Sequence, residues 1–208
     1  MGSVKLFRPT VIGIGGNLGS GKTTLAKIFQ EFGAKLIDAD KIGKSLLKFK
    51  TKEYHKIVET FGESILTKDK KIDRKKLGSI VFANPQKLKL LNRIVQPTLI
   101  AKIKQAIRKT KGIAVVDAAL LFNWDKKLPC TITILVSAPK RLKVMRVTKL
   151  GMSRQEAERR LACQLPERVM AKKADFIIKN NGTKKDLRKK AIALWRNFVY
   201  EIRTIALK

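Results

Sequence analysis

Cysteine and histidine are scarce in this chain of 208 residues, which has two cysteines and one histidine. Cys130 and Cys163 lie far apart in the sequence, so the chain predicts neither a zinc site nor a disulfide framework. Both are interpreted as ordinary thiols. His55 belongs to a polar helical stretch and is expected at the surface.

Long hydrophobic runs are also missing. No segment approaches the roughly 18 consecutive apolar residues of a membrane-spanning helix, and the N-terminus lacks a signal-peptide pattern. Leu6 stands where a myristoylation signal has Ser or Thr. An apolar content of 44% suits one globular domain elaborated by insertions. A cytoplasmic enzyme without a membrane partner is expected.

Acidic residues are few, with 16 Asp and Glu against 47 Lys and Arg, for a net charge of +31. Such a surface attracts polyanions. The basic residues are nevertheless spread along the whole chain, and aromatics make up only 6%, so no stacking platform accompanies the charge. We expect nonspecific polyanion binding but no specific nucleic-acid partner. No feature of the sequence indicates an oligomeric state.

The segment from Gly16 to Thr23 fits G-x-x-x-x-G-K-[ST] and follows the apolar run Val11–Ile14. It predicts a phosphate-binding P-loop, whose backbone N–H groups face phosphate oxygens. Lys22 adds a charge near the β- and γ-phosphates, and Thr23 offers a hydroxyl to Mg²⁺. Helical apolar spacing from Lys22 to Phe32 places a helix N-terminus directly after the loop.

Two carboxylates, Asp38 and Asp40, end the next apolar segment, residues 34–40. Their spacing places both on the same side of an extended chain. Because the carboxyl ends of parallel strands face the ligand crevice, at least one should point toward the phosphate loop. Alternatively, Asp40 caps a helix that begins at Lys41.

The rest of the chain alternates helical and strand patterns. Residues 45–109 show short helical segments, interrupted at Gly62, Asn84-Pro85 and Pro97, which we interpret as an insertion that builds a substrate site. Buried strands are predicted at Ile113–Asp117 and 131–136, and a further strand at 175–178. A basic helical segment is predicted at 138–165 and a final helix at 184–200. The predicted architecture is a three-layer α/β P-loop NTPase fold with a parallel central sheet, a helical substrate-binding insertion and a helical lid. It forms a single domain whose parts are a core of about 1–44, 110–138 and 173–208, an insertion of about 45–109, and a lid of about 139–172.

From Val11 to about Tyr200 the sequence resembles dephospho-CoA kinase. The resemblance depends on an ordered set of separated motifs rather than on the P-loop alone. These are residues 15–24, Ile37-Asp38-Ala39-Asp40, residues 72–77 and 80–85, Ala119-Leu120-Leu121-Phe122, Val136-Ser137-Ala138, residues 153–164, Ala174-Asp175 and Asn180-Asn181-Gly182.

This resemblance implies ATP-dependent phosphorylation of the ribose 3′-hydroxyl of dephospho-CoA, giving coenzyme A and ADP, with Mg²⁺. Lys22 would be catalytic and Thr23 would bind Mg²⁺. Asp40, the second acid of the family's D-A-D, would orient or deprotonate the hydroxyl or help to place the metal, with Asp38 as nearby support for the substrate. Arg74 would contact the substrate. The residues that would cradle ATP are Asn17, Leu18, Gly19, Ser20, Gly21, Lys22, Thr23 and Thr24.

The basic segment corresponds to the lid that closes over ATP in the family. An arginine at the transferring phosphate is worth on the order of 10³ or more in rate. The family's lid arginine falls on Val144 in an ungapped comparison, so either Arg146 or Arg141 would serve, and Arg146 is preferred as the catalytic residue. The chain also has Gln96 where the family usually has His, and Asn123 where it commonly has Glu.

Two other functions fit parts of the sequence. A nucleoside or nucleotide kinase of the same fold would differ in which acceptors it turns over. A basic nucleic-acid-binding P-loop ATPase would bind nucleic acid at physiological salt and hydrolyse ATP faster when bound, since nonspecific binding weakens steeply with added salt.

Overall fold

One parallel sheet organises the part of the chain that the computed structural model describes, residues 9–124 and 127–206, with side chains given through Phe198. Its spatial order is β2-β3-β1-β4-β5, and every neighbouring pair is parallel. This confirms the predicted parallel central sheet. The strands are β1 (Thr10–Gly15), β2 (Lys35–Asp38), β3 (Ile113–Asp117), β4 (Ile132–Ser137) and β5 (Phe176–Lys179).

Helices connect the strands and cover both faces of the sheet. Two single 3-10 turns occur at Glu63–Ile65 and Leu121–Asn123. Among the described residues, none of the helices is both long and apolar enough to cross a membrane. The α-helices are α1 (Lys22–Glu31), α2 (Ala39–Leu46), α3 (Lys52–Phe61), α4 (Arg74–Ala83), α5 (Pro85–Arg108), α6 (Lys140–Thr148), α7 (Arg154–Ala162), α8 (Glu167–Ala171) and α9 (Lys184–Ala206).

The alternation of side chains along the strands divides the core into two halves. Val11 packs on one face of the sheet, in a cluster with Ile103 of α5. Its neighbour Ile12 points to the opposite face, in a cluster with Phe29 of α1 and Phe198 of α9. Consecutive strand residues point to opposite faces, so strands that are apolar throughout need cover on both sides. The result is a three-layer arrangement with the sheet in the middle.

The helical insertion has a small core of its own, formed by buried side chains of α3, α4 and the turn between them. Its buried members are Tyr54, Ile57, Ile65, Ile72, Leu77 and Val81. Helix α5 contributes to this cluster through Leu91 and Ile94, and to the sheet cluster through Leu99 and Ile103. The last helix of the insertion is therefore shared with the core, and the domain boundaries remain a prediction.

The expected break at Pro97 is wrong, because Pro97 lies inside the continuous helix α5. A proline within a helix removes one backbone hydrogen bond and crowds the preceding turn, at a cost of about 3 kcal/mol. Packing of both halves of α5 offsets this cost. Beside the proline, Thr98 Oγ1 donates a hydrogen bond to Oε1 of the buried Glu53 at 2.5 Å, which ties α5 to α3.

Candidate active site

The phosphate loop connects β1 to α1 and is enclosed by the lid and by the turn after β5. Gly19 and Gly21 have φ values of 73° and 99°, which residues with a Cβ rarely adopt. A Cβ on Gly19 would collide with the backbone carbonyl of Lys143 in α6, and one on Gly21 would collide with the Asn180 side chain. Asn180 Nδ2 also donates to the carbonyl of Ser20 at 2.7 Å. The glycines thus permit both the loop conformation and its close packing.

Helix α1 begins at Lys22, directly after the loop. The first N–H groups of a helix have no partner within the helix, and the helix dipole favours an anion at this end. The loop and the α1 N-terminus therefore have the geometry of a phosphate cradle, and phosphate binding by these residues stays a prediction.

Asp117 is a candidate site residue that the sequence analysis did not assign. It ends β3, with its Cα paired to Asp38 on one side and Ile14 on the other. Thr23 Oγ1 donates to Asp117 Oδ2 at 2.6 Å, whereas the buried Oδ1 has no hydrogen-bond partner among the described residues. The signal that singled out Asp38, a carboxylate at the end of a buried strand, applied equally to Asp117.

The pKa of Asp117 is raised above its ordinary range. Burial of the carboxylate is the main cause, and the negative charges of Asp40 and Asp38 raise it further. The hydrogen bond from Thr23 and the charge of Lys22 act in the opposite direction but do not reverse the shift. A buried anion with an unsatisfied oxygen, beside a hydroxyl and a phosphate cradle, has the donor chemistry that Mg²⁺ prefers.

We expect Asp117→Asn to unfold at a higher temperature than the wild type near pH 7. A carboxyl whose folded pKa is raised holds its proton more tightly when folded, so its contribution to stability is present at low pH and is lost as pH rises through the folded pKa. A gain of about 1 kcal/mol would raise Tm by about 2–4 °C in a chain of this size. Thermal unfolding without Mg²⁺ at acidic and neutral pH measures the effect.

The Asn side chain still accepts from Thr23, so the hydrogen bond is retained in this variant. Asp69→Asn is a matched control, because Asp69 is exposed in the insertion. An Asp117→Asn variant that is less stable than the wild type at neutral pH would contradict the account.

The two predicted acids lie at the junction of β2 and α2. The strand ends at Asp38, and α2 begins at Ala39, so the expected extended conformation through Asp40 is wrong. Asp38 Oδ1 accepts from the N–H of Lys41 at 2.8 Å, so the N-cap of this helix is Asp38 rather than Asp40. Capping satisfies an otherwise unpaired helix N–H, which favours starting the helix here. Asp40 is exposed in the first turn, close enough to Asp117 to affect its pKa.

Arg146 lies against the carbonyl side of the phosphate loop. Its Nη2 donates to the carbonyls of Asn180 at 2.9 Å and Gly182 at 3.3 Å. Its Nη1 donates to the carbonyls of Gly19 at 3.4 Å and Ser20 at 3.5 Å. These bonds join the lid, the loop and the turn after β5. The catalytic role of Arg146 stays a prediction. In this conformation its guanidinium contacts backbone carbonyl oxygens and does not face the N–H groups of the cradle.

Cavities lie between the lid and the insertion. One of about 990 Å³ lies between α5 and α7, and Gln96 and Asn123 both line it. Arg93 and Arg159 bring positive charge to the same cleft. We call it the lid–insertion cleft. Gln96 and Asn123, the two residues that differ from the family pattern, therefore line the same cavity.

Arg74 lines another cavity, of about 370 Å³, together with Lys44 and Arg160. It is the first residue of α4, whose N-cap is Asp73; the Asp73 side chain accepts hydrogen bonds from the backbone N–H groups of Lys75 and Lys76. Arg74 thus lies close to the lid, and its contact with the substrate stays a prediction.

Comparison with known proteins identifies the family. Residues 10–186 match the family model for dephospho-CoA kinase. A dephospho-CoA kinase of Carboxydothermus hydrogenoformans is 35% identical over 196 residues, covering 92% of this chain and 95% of that protein.

Solved structures agree with this assignment. TT1252 from Thermus thermophilus has a TM-score of 0.74 and 29% identity over 91% of this chain and 98% of its own. The dephospho-CoA kinase from Campylobacter jejuni has a TM-score of 0.59 and 31% identity over 91% and 97%. The chain belongs to the dephospho-CoA kinase family.

Proposed function

We propose that this chain transfers the γ-phosphoryl group of ATP to the ribose 3′-hydroxyl of dephospho-CoA in the cytoplasm, giving coenzyme A and ADP. The observation that carries the proposal is the bond between Thr23 and the buried Asp117 at the mouth of the phosphate loop. Family membership indicates that the acceptor is dephospho-CoA, and the cationic cleft beside the lid offers space to bind it. The predicted roles of the site residues form part of this proposal, except that of Arg146, for which a different role is proposed below.

The phosphate loop, residues 17–24, would hold the nucleotide. Loop amides and the α1 N-terminus would bind phosphate oxygens, and Lys22 would place its charge near the β- and γ-phosphates. Thr23 and Asp117 would hold Mg²⁺, with Asp40 as a further candidate ligand. When bound, the metal supplies positive charge to the phosphate oxygens.

Asp40 would act on the attacking hydroxyl. It is exposed at the β2–α2 junction, where a substrate can reach it, and it lies near Asp117. Its carboxylate would orient the 3′-hydroxyl and accept its proton as the oxygen attacks the γ-phosphorus. Asp38 would support this geometry as the N-cap that fixes the first turn of α2, on which Asp40 lies.

The acceptor would be bound by cationic and neutral polar groups between the insertion and the lid. Arg74, Arg93 and Arg159 would contact the diphosphate, since guanidinium groups bind phosphate oxygens in a bidentate manner. Gln96 and Asn123 would contribute neutral amides to the same cleft, where the family usually has an imidazole and a carboxylate.

We propose that Arg146 organises the nucleotide site by holding the loop and the turn after β5 together. Its four backbone contacts would be lost in Arg146→Met. Hydrogen bonds from a charged group are worth about 1.5–3 kcal/mol, so we expect KM for ATP to rise about tenfold or more. The value of kcat should change much less. Steady-state kinetics with varied ATP separate the two parameters.

Arg141→Met is the control, because Arg141 is exposed and lines a different cavity of the lid. It should leave both constants near the wild-type values. A loss of 10³-fold or more in kcat for Arg146→Met, with KM unchanged, would instead assign Arg146 to the transferring phosphate.

An acceptor comparison tests the proposed function. Purified protein with Mg-ATP is assayed against dephospho-CoA, adenosine, AMP and other nucleosides and nucleotides. We expect kcat/KM for dephospho-CoA to exceed the others by at least about 10³-fold, because sites built around several polar contacts reject substrates that lack them. Preferred turnover of a nucleoside or nucleotide would replace the proposal with the related kinase activity.

A further inference from the structure

The end of lid helix α7 is bonded to the phosphate loop through Gln164. This residue lies just beyond the helix, and its Oε1 accepts a hydrogen bond from the backbone N–H of Leu18 at 2.9 Å. Leu18 is one of the loop residues between Gly16 and Lys22. A neutral lid side chain therefore holds an amide of the loop whose amides are predicted to face phosphate.

The same helix end is attached to the insertion. The Arg160 guanidinium lies 4.7 Å from the centroid of the Phe82 ring in α4, within the range of a cation–π contact. Cys163 Sγ lies 3.5 Å from the Phe82 carbonyl oxygen. Arg160 is in turn held by Glu156, one helical turn earlier, at 2.6 Å. Both the side chain and the backbone of Phe82 thus contact the lid.

These contacts also form part of the lid–insertion cleft. Phe82 and Cys163 both line the cavity of about 990 Å³, together with Arg159 of the same helix. Cys163 and Gln164 are adjacent in the sequence, so the wall of the cleft and the bond to the loop cannot move independently over more than a short distance. The end of α7 and the turn that follows it therefore connect the phosphate loop to the cleft.

We propose that Gln164 is a positioning residue that couples nucleotide binding in the phosphate loop to acceptor binding in the cleft. A bound nucleotide fixes the position of the phosphate loop. The hydrogen bond from the Leu18 N–H to Gln164 then fixes the end of α7 relative to the loop. Arg160 and Cys163, at that helix end, in turn position Phe82 in the wall of the cleft. The proposal rests on the proposed function for the identity of the two ligands. Such coupling is reciprocal, so the acceptor must affect nucleotide affinity by the same factor.

Binding measurements with Gln164→Met test the coupling. Methionine is similar in length but cannot accept from the Leu18 N–H. The dissociation constant of dephospho-CoA is measured by calorimetry with and without the Mg²⁺ complex of β,γ-imido-ATP. We expect the nucleotide analogue to tighten acceptor binding at least about 5-fold in the wild type, the lower end of typical allosteric coupling. In Gln164→Met the ratio should fall to within about 2-fold of one, since the connecting bond is missing.

Two further variants control for unrelated effects. Gln155→Met makes the same substitution at an exposed position of α7 and should keep the wild-type ratio. Gln164→Glu still accepts from Leu18, so it should retain the ratio while its negative charge weakens binding of the analogue at the phosphate loop.

The outcomes separate the two proposals. The ratio compared is that of the dephospho-CoA dissociation constants without and with the nucleotide analogue. A wild-type ratio near one would overturn the coupling, and so would a wild-type ratio in Gln164→Met. The coupling is also overturned if Gln164→Glu loses the ratio as completely as Gln164→Met does. If the wild type does not bind dephospho-CoA at all, the proposed function fails instead.

Discussion

Asp40→Asn should lower kcat by about 10²–10⁴-fold, the usual contribution of a general base, while KM for ATP changes little. Asparagine has nearly the same shape but cannot accept the proton of the attacking hydroxyl. The N-cap of α2 is Asp38, so the exchange at Asp40 leaves the start of the helix intact. Steady-state kinetics with dephospho-CoA and ATP varied separately give both constants.

Asp69→Asn serves as the control for Asp40→Asn. Asp69 is an exposed aspartate in the insertion, paired only with Lys71 at 3.6 Å among the contacts described, and its exchange should leave kcat unchanged. If Asp40→Asn changed ATP affinity alone and preserved kcat, Asp40 would be a binding residue and not the base.

Lys22→Met should lower kcat by about 10²–10³-fold, the usual effect of removing one group that stabilises developing charge. The Lys22 ammonium group is expected to contact the phosphates from the first turn of α1, and methionine keeps much of the length without the charge. The fold should persist, because half-buried Lys22 is not part of the apolar core. Single-turnover assays with saturating ATP measure the chemical step.

Lys27→Met is the matched control, since Lys27 is an exposed lysine on the same helix. Its turnover should equal that of the wild type. Near-normal turnover by Lys22→Met, with circular dichroism unchanged, would refute the assignment of the phosphate loop.

Local patterns were sufficient to predict the parallel sheet and the phosphate loop. The loop is specified by consecutive residues whose glycines permit its conformation, and the strand and helix on either side are marked by short apolar periodicities. The insertion was predicted for the same reason, because Gly62 and Asn84 interrupt helical spacing and both lie at helix ends in the structure.

What the sequence could not supply were the contacts made across the fold. The bond between Thr23 and Asp117 depends on the sheet order, which places β3 beside β1. The carbonyl contacts of Arg146 depend on where the turn after β5 meets the lid. The helix continues through Pro97 because packing of both halves of α5, rather than local propensity, decides its length.

The most direct test of the central claim is to identify the product formed from dephospho-CoA. Purified protein is incubated with Mg-ATP and dephospho-CoA, and the products are separated and examined by ³¹P NMR. The account predicts one ADP for each coenzyme A, with the new phosphate on the ribose 3′-oxygen. ADP release without a phosphorylated acceptor, or ATP hydrolysis that requires added nucleic acid, would contradict it.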